Sequence, residues 1–195
     1  MSRLLRIYLL FFLPFIFMVS CGNSNKQHLE KASLKINNSL QTSSADTMDR
    51  YEVFKTEEEW KQILSSGEYR ILRGRGTELP FVNEYYDNEK EGIYYCRACG
   101  QPLYSSETKY KSGTGWPSFW QPIKSSLVEE KEDNSFFMTR TEIVCSRCGS
   151  HLGHVFNDGP EPTGLRYCMN SKALTFKEMD LSDVDVEELS VIEVE

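Results

Sequence analysis

The chain has 195 residues, 39% hydrophobic and 12% aromatic, with six cysteines and a formal charge of −7. That length and composition support a buried core in one domain with appendages, and they exclude a wholly disordered chain. An acidic balance argues against broad nucleic-acid binding, which needs Lys and Arg to displace counterions, and six cysteines are too few for a disulfide scaffold of this size. The charge is uneven. Residues 177–195 hold eight acids and one base, whereas residues 1–176 hold 21 of each. The acidity is therefore a property of the C-terminal tail.

The chain divides into four segments. Residues 1–20 open with Arg3 and Arg6 and continue through an apolar run, Ile7 to Val19, broken by Pro14. The run is shorter than the roughly 20 residues of a membrane-spanning helix and fits a secretory leader. Met18-Val19-Ser20-Cys21-Gly22 then resembles a bacterial lipobox, although Leu is usual where Met18 stands. On that reading Cys21 is lipidated and becomes the new N-terminus. The protein is then lipid-anchored at a membrane surface of the bacterial cell envelope, outside the cytoplasm. Residues 21–50, rich in Asn, Ser, Thr, Gln and Lys, read as a flexible tether. Residues 51–176 are the folded body and 177–195 an acidic tail, to which the sequence assigns no role.

Within the body, Thr56-Glu57-Glu58-Glu59 is a capping box, and Trp60, Ile63 and Leu64 follow at helical spacing. This helix is expected to stop near Ser66-Gly67, with a second short helix over Glu68–Arg73 and an extended link at Leu79-Pro80-Phe81. After Gly92 the pattern turns to short strands: Ile93–Cys96, Phe136–Cys145 and an interrupted Tyr167–Phe176. Glycines and prolines punctuate these runs, so a mainly β domain is expected.

Cys96-Arg97-Ala98-Cys99-Gly100 and Cys145-Ser146-Arg147-Cys148-Gly149 share one pattern. Two Cys-x-x-Cys turns supply the four thiolates of a tetrahedral zinc site, and the following glycine suits a tight knuckle. Four closed ligands make such an ion structural. Structural disulfides, which export favours, and a redox pair remain alternatives. The redox reading is the weaker, because a reactive pair usually opens a helix and here a strand leads into each pair.

Cys168 is left unpaired in Arg166-Tyr167-Cys168-Met169-Asn170. It is either buried and inert or reactive. Arg166, two residues away on one strand face, would favour the thiolate. His151 and His154 follow the second knuckle directly and suit acid–base work, though such a pair is often merely structural. Gly115-Trp116-Pro117-Ser118-Phe119 either lines an apolar pocket or forms a core corner.

Together these residues resemble the methionine-R-sulfoxide reductases, the B-type enzymes that repair oxidised methionine. The resemblance covers Thr56 to Phe176 and rests on both Cys-x-x-Cys-Gly knuckles, Gly-Trp-Pro-Ser-Phe at 115–119, His-x-Gly-His-Val-Phe at 151–156 and Arg-Tyr-Cys-x-Asn-Ser at 166–171. Arg75-Gly76-Thr77-Glu78 and Asp158-Gly159-Pro160 also match. It implies a β-tent of two antiparallel β-sheets with short N-terminal helices, and one structural zinc on Cys96, Cys99, Cys145 and Cys148 at the far end from the active site. It implies no organic cofactor. Cys168 would be the nucleophile and would pass through a sulfenic acid. His154 and His151 would organise the sulfoxide oxygen and protonate it, Asn170 and Arg166 would support the thiolate, and Trp116, Phe119 and Phe156 would form the substrate's apolar walls.

Thr114 stands where many relatives carry a resolving cysteine. Regeneration is therefore expected from an external thiol such as a thioredoxin-like protein. The expected substrates are oxidised proteins or peptides, and the protein is expected to act as a monomer. Two other classes compete: a zinc-stabilised binding module with an incidental thiol, and a zinc-dependent nucleic-acid binder. The latter is disfavoured by 19 bases against 21 acids over residues 21–176 and by the lack of a basic stripe.

Overall fold

The computed structural model describes residues 50–135, 138–182, 184–185, 188–189 and 191–192. The leader, Cys21 and the tether up to residue 49 lie outside them. Among the described residues no helix is long and apolar enough to cross a membrane.

Helix α1 spans Glu57–Ile63 and starts as its capping box dictates. The Glu59 amide donates to Thr56 Oγ1 at 3.2 Å, and the Thr56 amide donates to Glu59 Oε2 at 2.7 Å. The chain leaves the helix one turn earlier than expected, because Leu64 is already extended. A second capping box explains this. Ser65 and Glu68 bond reciprocally and start α2 over Ser66–Leu72. Ser66-Gly67, expected to separate the helices, instead forms the first turn of the second. Trp60, Ile71 and Leu72 face inward from the two helices.

Among the described residues nine strands follow: β1 Gly92–Cys96, β2 Pro102–Ser105, β3 Lys109–Tyr110, β4 Ser118–Phe119, β5 Val128–Asp133, β6 Arg140–Cys145, β7 His151–Phe156, β8 Arg166–Met169 and β9 Leu174–Glu178. They form two antiparallel sheets, one ordered β2-β1-β9 and the other β3-β4-β8-β7-β6-β5. Both sheets and both helices share one core, in which Tyr94, Tyr104, Phe119, Ile143, Leu152, Met169 and Leu174 are buried with Trp60 and Ile71.

Three differences from the sequence expectation have clear causes. The run expected over Phe136–Cys145 is strand only from Arg140 among the described residues, because Met138 still belongs to a turn in which its amide donates to Ser135 O at 3.2 Å; Phe136 and Phe137 lie outside the described residues. The interrupted run Tyr167–Phe176 is two strands of different sheets, joined through a 3-10 turn at Ser171–Ala173. Strand β5 was not expected, because Val-Glu-Glu-Lys-Glu-Asp has no apolar alternation. It is an edge strand, where charge protects against stray pairing.

The acidic tail does not begin where its charge does, since Lys177 and Glu178 complete β9. Beyond β9, Met179, Leu181, Val184, Leu189 and Ile192 pack over Ile93 and Tyr95 of β1. Alternation along β1 sends Tyr94 into the main core and Ile93 and Tyr95 to the opposite face, which needs its own cover. The Leu181 amide donates to Glu91 Oε1 at 2.7 Å, and the Ile192 amide donates to the Gly100 carbonyl at 2.9 Å. The apolar residues between the tail's acids thus have a packing role.

Candidate active site and cysteine cluster

The two knuckles are the same turn built twice. The Cys96 amide donates to Gln101 O at 2.7 Å and the Gly100 amide to Cys96 O at 2.8 Å. In the second knuckle the Cys145 amide donates to Ser150 O at 2.9 Å and the Gly149 amide to Cys145 O at 2.8 Å. Gly100 and Gly149 close these turns at φ 71° and 69°, in the left-handed region that glycine enters without strain. One turn joins β1 to β2 and the other joins β6 to β7, so each knuckle is a hairpin tip of a different sheet.

The tips meet. The four buried sulfurs lie within 4.8 Å of one another. Cys96 Sγ is 3.8 Å from Cys148 Sγ, and Cys99 Sγ is 3.6 Å from Cys145 Sγ. These separations are far from a disulfide bond of about 2.05 Å, and all four are free thiols. They match the edge of a tetrahedron of sulfurs about 2.3 Å from a central ion, which is about 3.8 Å. Neighbouring sulfurs, Cys145 foremost, and burial push the Cys96 thiol well above its ordinary range. Four thiolates share such a space only around a positive ion. Gln101 Nε2 adds a donor 3.5 Å from Cys145 Sγ. The donor set therefore fits a metal ion, and neither knuckle sits on a helix as a redox pair would.

The second site lies on β8 and β7. In register, Cys168 stands between Ser118 of β4 and His154 of β7, and His154 stands opposite Glu142 of β6. Cys168 opens into a cavity of about 150 Å³ whose lining includes Trp116, Arg140, His154, Phe156 and Asn170. Thr114 Oγ1 is 4.0 Å from Cys168 Sγ. Burial pushes the Cys168 thiol above its ordinary value, and Arg166, Thr114 and Ser118 pull it back only in part. Arg166 is fixed by two hydrogen bonds to Asp158 at 2.9 Å and lies 4.3 Å over the Phe156 ring. Trp116 is held by its indole N–H, which donates to Glu78 O at 3.1 Å.

His151 and His154 are three residues apart, which on a regular strand would place them on opposite faces. A register shift in the β6–β7 pairing, which sets Ile143 against Gly153 but Val144 against His151, returns His151 to the His154 face. His151 Nδ1 bonds Glu142 Oε1 at 2.7 Å, and His154 Nε2 bonds Asp133 Oδ2 at 2.7 Å. The rings meet edge to face at 5.4 Å. Of the two, His154 lines the cavity; His151 is buried behind it, with no partner on Nε2 among the described residues.

The carboxylates are held in turn by arginines. Arg75 reaches Glu142 at 2.7 Å and Asp133 at 3.5 Å, and Arg140 reaches Asp133 at 2.7 Å. Bonds from Ser135 and His154, with Arg140 beside it, hold Asp133 well below the usual carboxylate range against its burial. Burial would raise the Glu142 carboxyl, but His151 and Arg75 outweigh it and hold it low. Burial lowers His154 below its ordinary value, against the raising effect of Asp133. The pairs are thus ionised carboxylates bonded to imidazoles, of which His154 is held toward its neutral form.

Asn170 ties three pieces together. Its Oδ1 accepts from the Glu78 amide at 3.1 Å, and its Nδ2 donates to Leu152 O at 3.1 Å. Phe119 requires a correction. It was expected as a substrate wall, but it is 0% exposed and stacked on Tyr104 at 4.5 Å inside the core. The reason is strand alternation: Ser118 shares the Cys168 side of the sheet, so its neighbour must face the other way. Sequence reasoning missed Asp133, Glu142 and Arg140, which lie on the unexpected β5 and on β6. Charges at alternate positions in Arg140-Thr141-Glu142 were the available signal. Arg75 sits in a segment already noted for its resemblance.

The SelR domain matches residues 64–178, a span that holds both knuckles and every residue named at the cavity. The chain is 61% identical over 125 residues to the peptide methionine sulfoxide reductase MsrB of Methanosarcina barkeri, covering 64% of this chain and 88% of that protein. It is 58% identical over 127 residues to the MsrB of Leptospira interrogans, covering 65% and 97%. It is 53% identical over 131 residues to the MsrB of Acinetobacter baumannii, covering 67% and 94%. A domain match over most of the chain and relatives matched nearly end to end place the chain in the SelR-domain family, that of the MsrB peptide methionine sulfoxide reductases.

Proposed function

We propose that this protein is a one-cysteine methionine-R-sulfoxide reductase that acts on oxidised proteins and peptides. The observation that carries this reading is a half-buried thiol, Cys168, opening into a cavity walled by Trp116 and Phe156 with His154 directly across the strand pair. A sulfoxide carries an apolar methyl and a poor leaving oxygen. The aromatic walls suit the first and a proton donor serves the second.

The step balances without an added acid. Cys168 gives its proton to His154, whose Nε2 is already engaged with Asp133 and whose Nδ1 is left to take it. The thiolate attacks the sulfoxide sulfur and the proton follows to the oxygen. The new S–S bond and the substrate's S–O bond then break as the hydroxyl passes to the Cys168 sulfur, so that methionine leaves reduced and Cys168 is left oxidised as a sulfenic acid. Arg166 favours the thiolate, and Asn170 fixes the strand beside it. His151 acts as a positioning residue through Glu142.

Regeneration is assigned to an external thiol. Thr114, whose Oγ1 lies 4.0 Å from Cys168 Sγ, offers no thiol, and four of the remaining cysteines belong to the cluster. A first external thiol condenses with the sulfenic acid, releasing water and leaving a mixed disulfide. A second thiol frees Cys168 and carries away the disulfide. A thioredoxin-like dithiol supplies both, and no organic cofactor is needed. The cluster is assigned one structural zinc, which supplies folding free energy rather than chemistry. The protein is assigned, as a monomer, to the bacterial cell envelope outside the cytoplasm, lipid-anchored at a membrane surface through Cys21.

With dithiothreitol as reductant, the protein should reduce peptide methionine-R-sulfoxide and leave the S epimer untouched, while Cys168→Ser keeps its fold and loses at least about a thousandfold in rate. Turnover of both epimers, or activity in Cys168→Ser, would contradict the reading. Alkylation of Cys168 by iodoacetamide, followed by peptide mass spectrometry, should rise with pH through a midpoint above the ordinary thiol value of about 8.5. Arg166→Met removes the foremost influence favouring the thiolate and should move that midpoint higher; a midpoint near neutrality would be inconsistent with burial dominating. Metal analysis should find one zinc per chain, and Cys99→Ser should lose it together with about 3 kcal/mol or more of stability. A metal-free protein of full stability would rule out the zinc assignment.

A further inference from the structure

Leu79, Phe81 and Val82 are 73%, 56% and 76% exposed within one four-residue stretch. Scattered surface apolar residues need no explanation, but three large ones presented together mark a contact surface. The stretch is held rigidly. The Phe81 amide donates to Gly115 O at 2.8 Å, and Asn83 Nδ2 donates to the same carbonyl at 2.7 Å and to Leu79 O at 3.1 Å. The preceding residue, Glu78, accepts the Trp116 indole N–H. The approach is so close that a Cβ on Gly115 would stand 2.6 Å from Pro80 Cβ and 2.8 Å from the Phe81 nitrogen. Phe81 itself takes φ 65°, a left-handed conformation that a bulky residue adopts only under constraint and that recurs at ligand clamps.

This loop adjoins the cavity through Trp116, which lines it. At about 150 Å³ the cavity has room for one side chain. A methionine sulfoxide within a polypeptide must leave its flanking residues outside, on the rim. The arginines beside the cavity, Arg75 and Arg140, are paired with Glu142 and Asp133. Apolar contact is then the chemistry that the Trp116 side offers.

On the reductase reading above, we propose that Leu79, Phe81 and Val82 form a rigid apolar platform, continuous with the cavity, that binds the residues flanking the oxidised methionine. The occupant is an extended polypeptide segment with apolar side chains beside the sulfoxide, as an unfolded protein exposes. The platform thereby sets substrate preference without touching the reacting atoms.

The test uses three substrates: a methionine-R-sulfoxide peptide with Leu and Val on either side, the same peptide with Ser on either side, and N-acetyl-methionine-R-sulfoxide, which has no flanks. The unaltered protein should favour the apolar peptide over the Ser peptide by roughly tenfold in kcat/KM, the order one buried apolar group supplies. Phe81→Asn with Val82→Ser should bring that ratio close to one while the rate on N-acetyl-methionine-R-sulfoxide stays unchanged. Asn tolerates the left-handed backbone. Should that pair fail to fold, Leu79→Ser alone must narrow the ratio. No flank preference in the unaltered protein, a preference that survives the substitutions, or an equal fall on all three substrates would overturn the platform alone. No turnover of any substrate by the unaltered protein would overturn the reductase reading and the platform with it.

Discussion

Two hairpin tips from two different sheets meet at four sulfurs, and the rest of the molecule is positioned from that junction. The β1–β2 tip brings Cys96 and Cys99, and the β6–β7 tip brings Cys145 and Cys148. The ion that such a donor set fits would fasten the three-stranded sheet to the six-stranded one at a single point. Strand β7 begins three residues after Cys148, so the histidine strand leaves a fixed origin. The register shift beside Leu152 then turns both imidazoles to one side, and β8 sets Cys168 against His154. The tail reinforces the same point from outside, since the Ile192 amide bonds the carbonyl of the knuckle glycine Gly100.

Burial dominates the electrostatics of the site. Two carboxylates, Asp133 and Glu142, are almost fully enclosed, which would be costly for unpaired charges. Each has an imidazole on one side and at least one guanidinium on another, so the charges are met within the protein. The cavity shows the complementary effect. Cys168 is held toward the thiol and His154 toward the neutral imidazole. On the proposed reaction, a site poised in that way keeps the proton on the nucleophile until His154 takes it and passes it to the sulfoxide oxygen. It also suits an uncharged sulfoxide. The body has little net charge of its own, because residues 177–195 carry the acidity.

Much of this was legible in the residues. The capping box at Thr56, the doubled knuckle, and the separate status of Cys168 follow from chemistry that short motifs carry whole. The two-sheet β fold followed from the resemblance and from turn-punctuated strands. What was not legible depended on tertiary context. The second capping box at Ser65 shifted the helix boundary because a local side-chain bond outranked the glycine at 67. Strand β5 was hidden because an edge strand needs charge rather than alternation. Phe119 was misplaced because a motif says which residues are neighbours, whereas strand alternation decides which face each takes. Asp133 and Glu142 emerged only when β5 and β6 were seen to lie beside the histidine strand. The apolar residues of the acidic tail gained a role only once Ile93 and Tyr95 were found to need cover.

The central claim is that Cys168 alone carries the oxidation, with no internal thiol to resolve it. It is tested most directly in a single turnover. The protein, reduced and freed of reductant, is mixed with methionine-R-sulfoxide peptide and then with dimedone, which traps sulfenic acids, and its cysteines are mapped by mass spectrometry. The account predicts one methionine released per chain and a dimedone adduct on Cys168, with Cys96, Cys99, Cys145 and Cys148 unmodified. An adduct on another cysteine, or a disulfide between Cys168 and any other cysteine of the same chain, would contradict it.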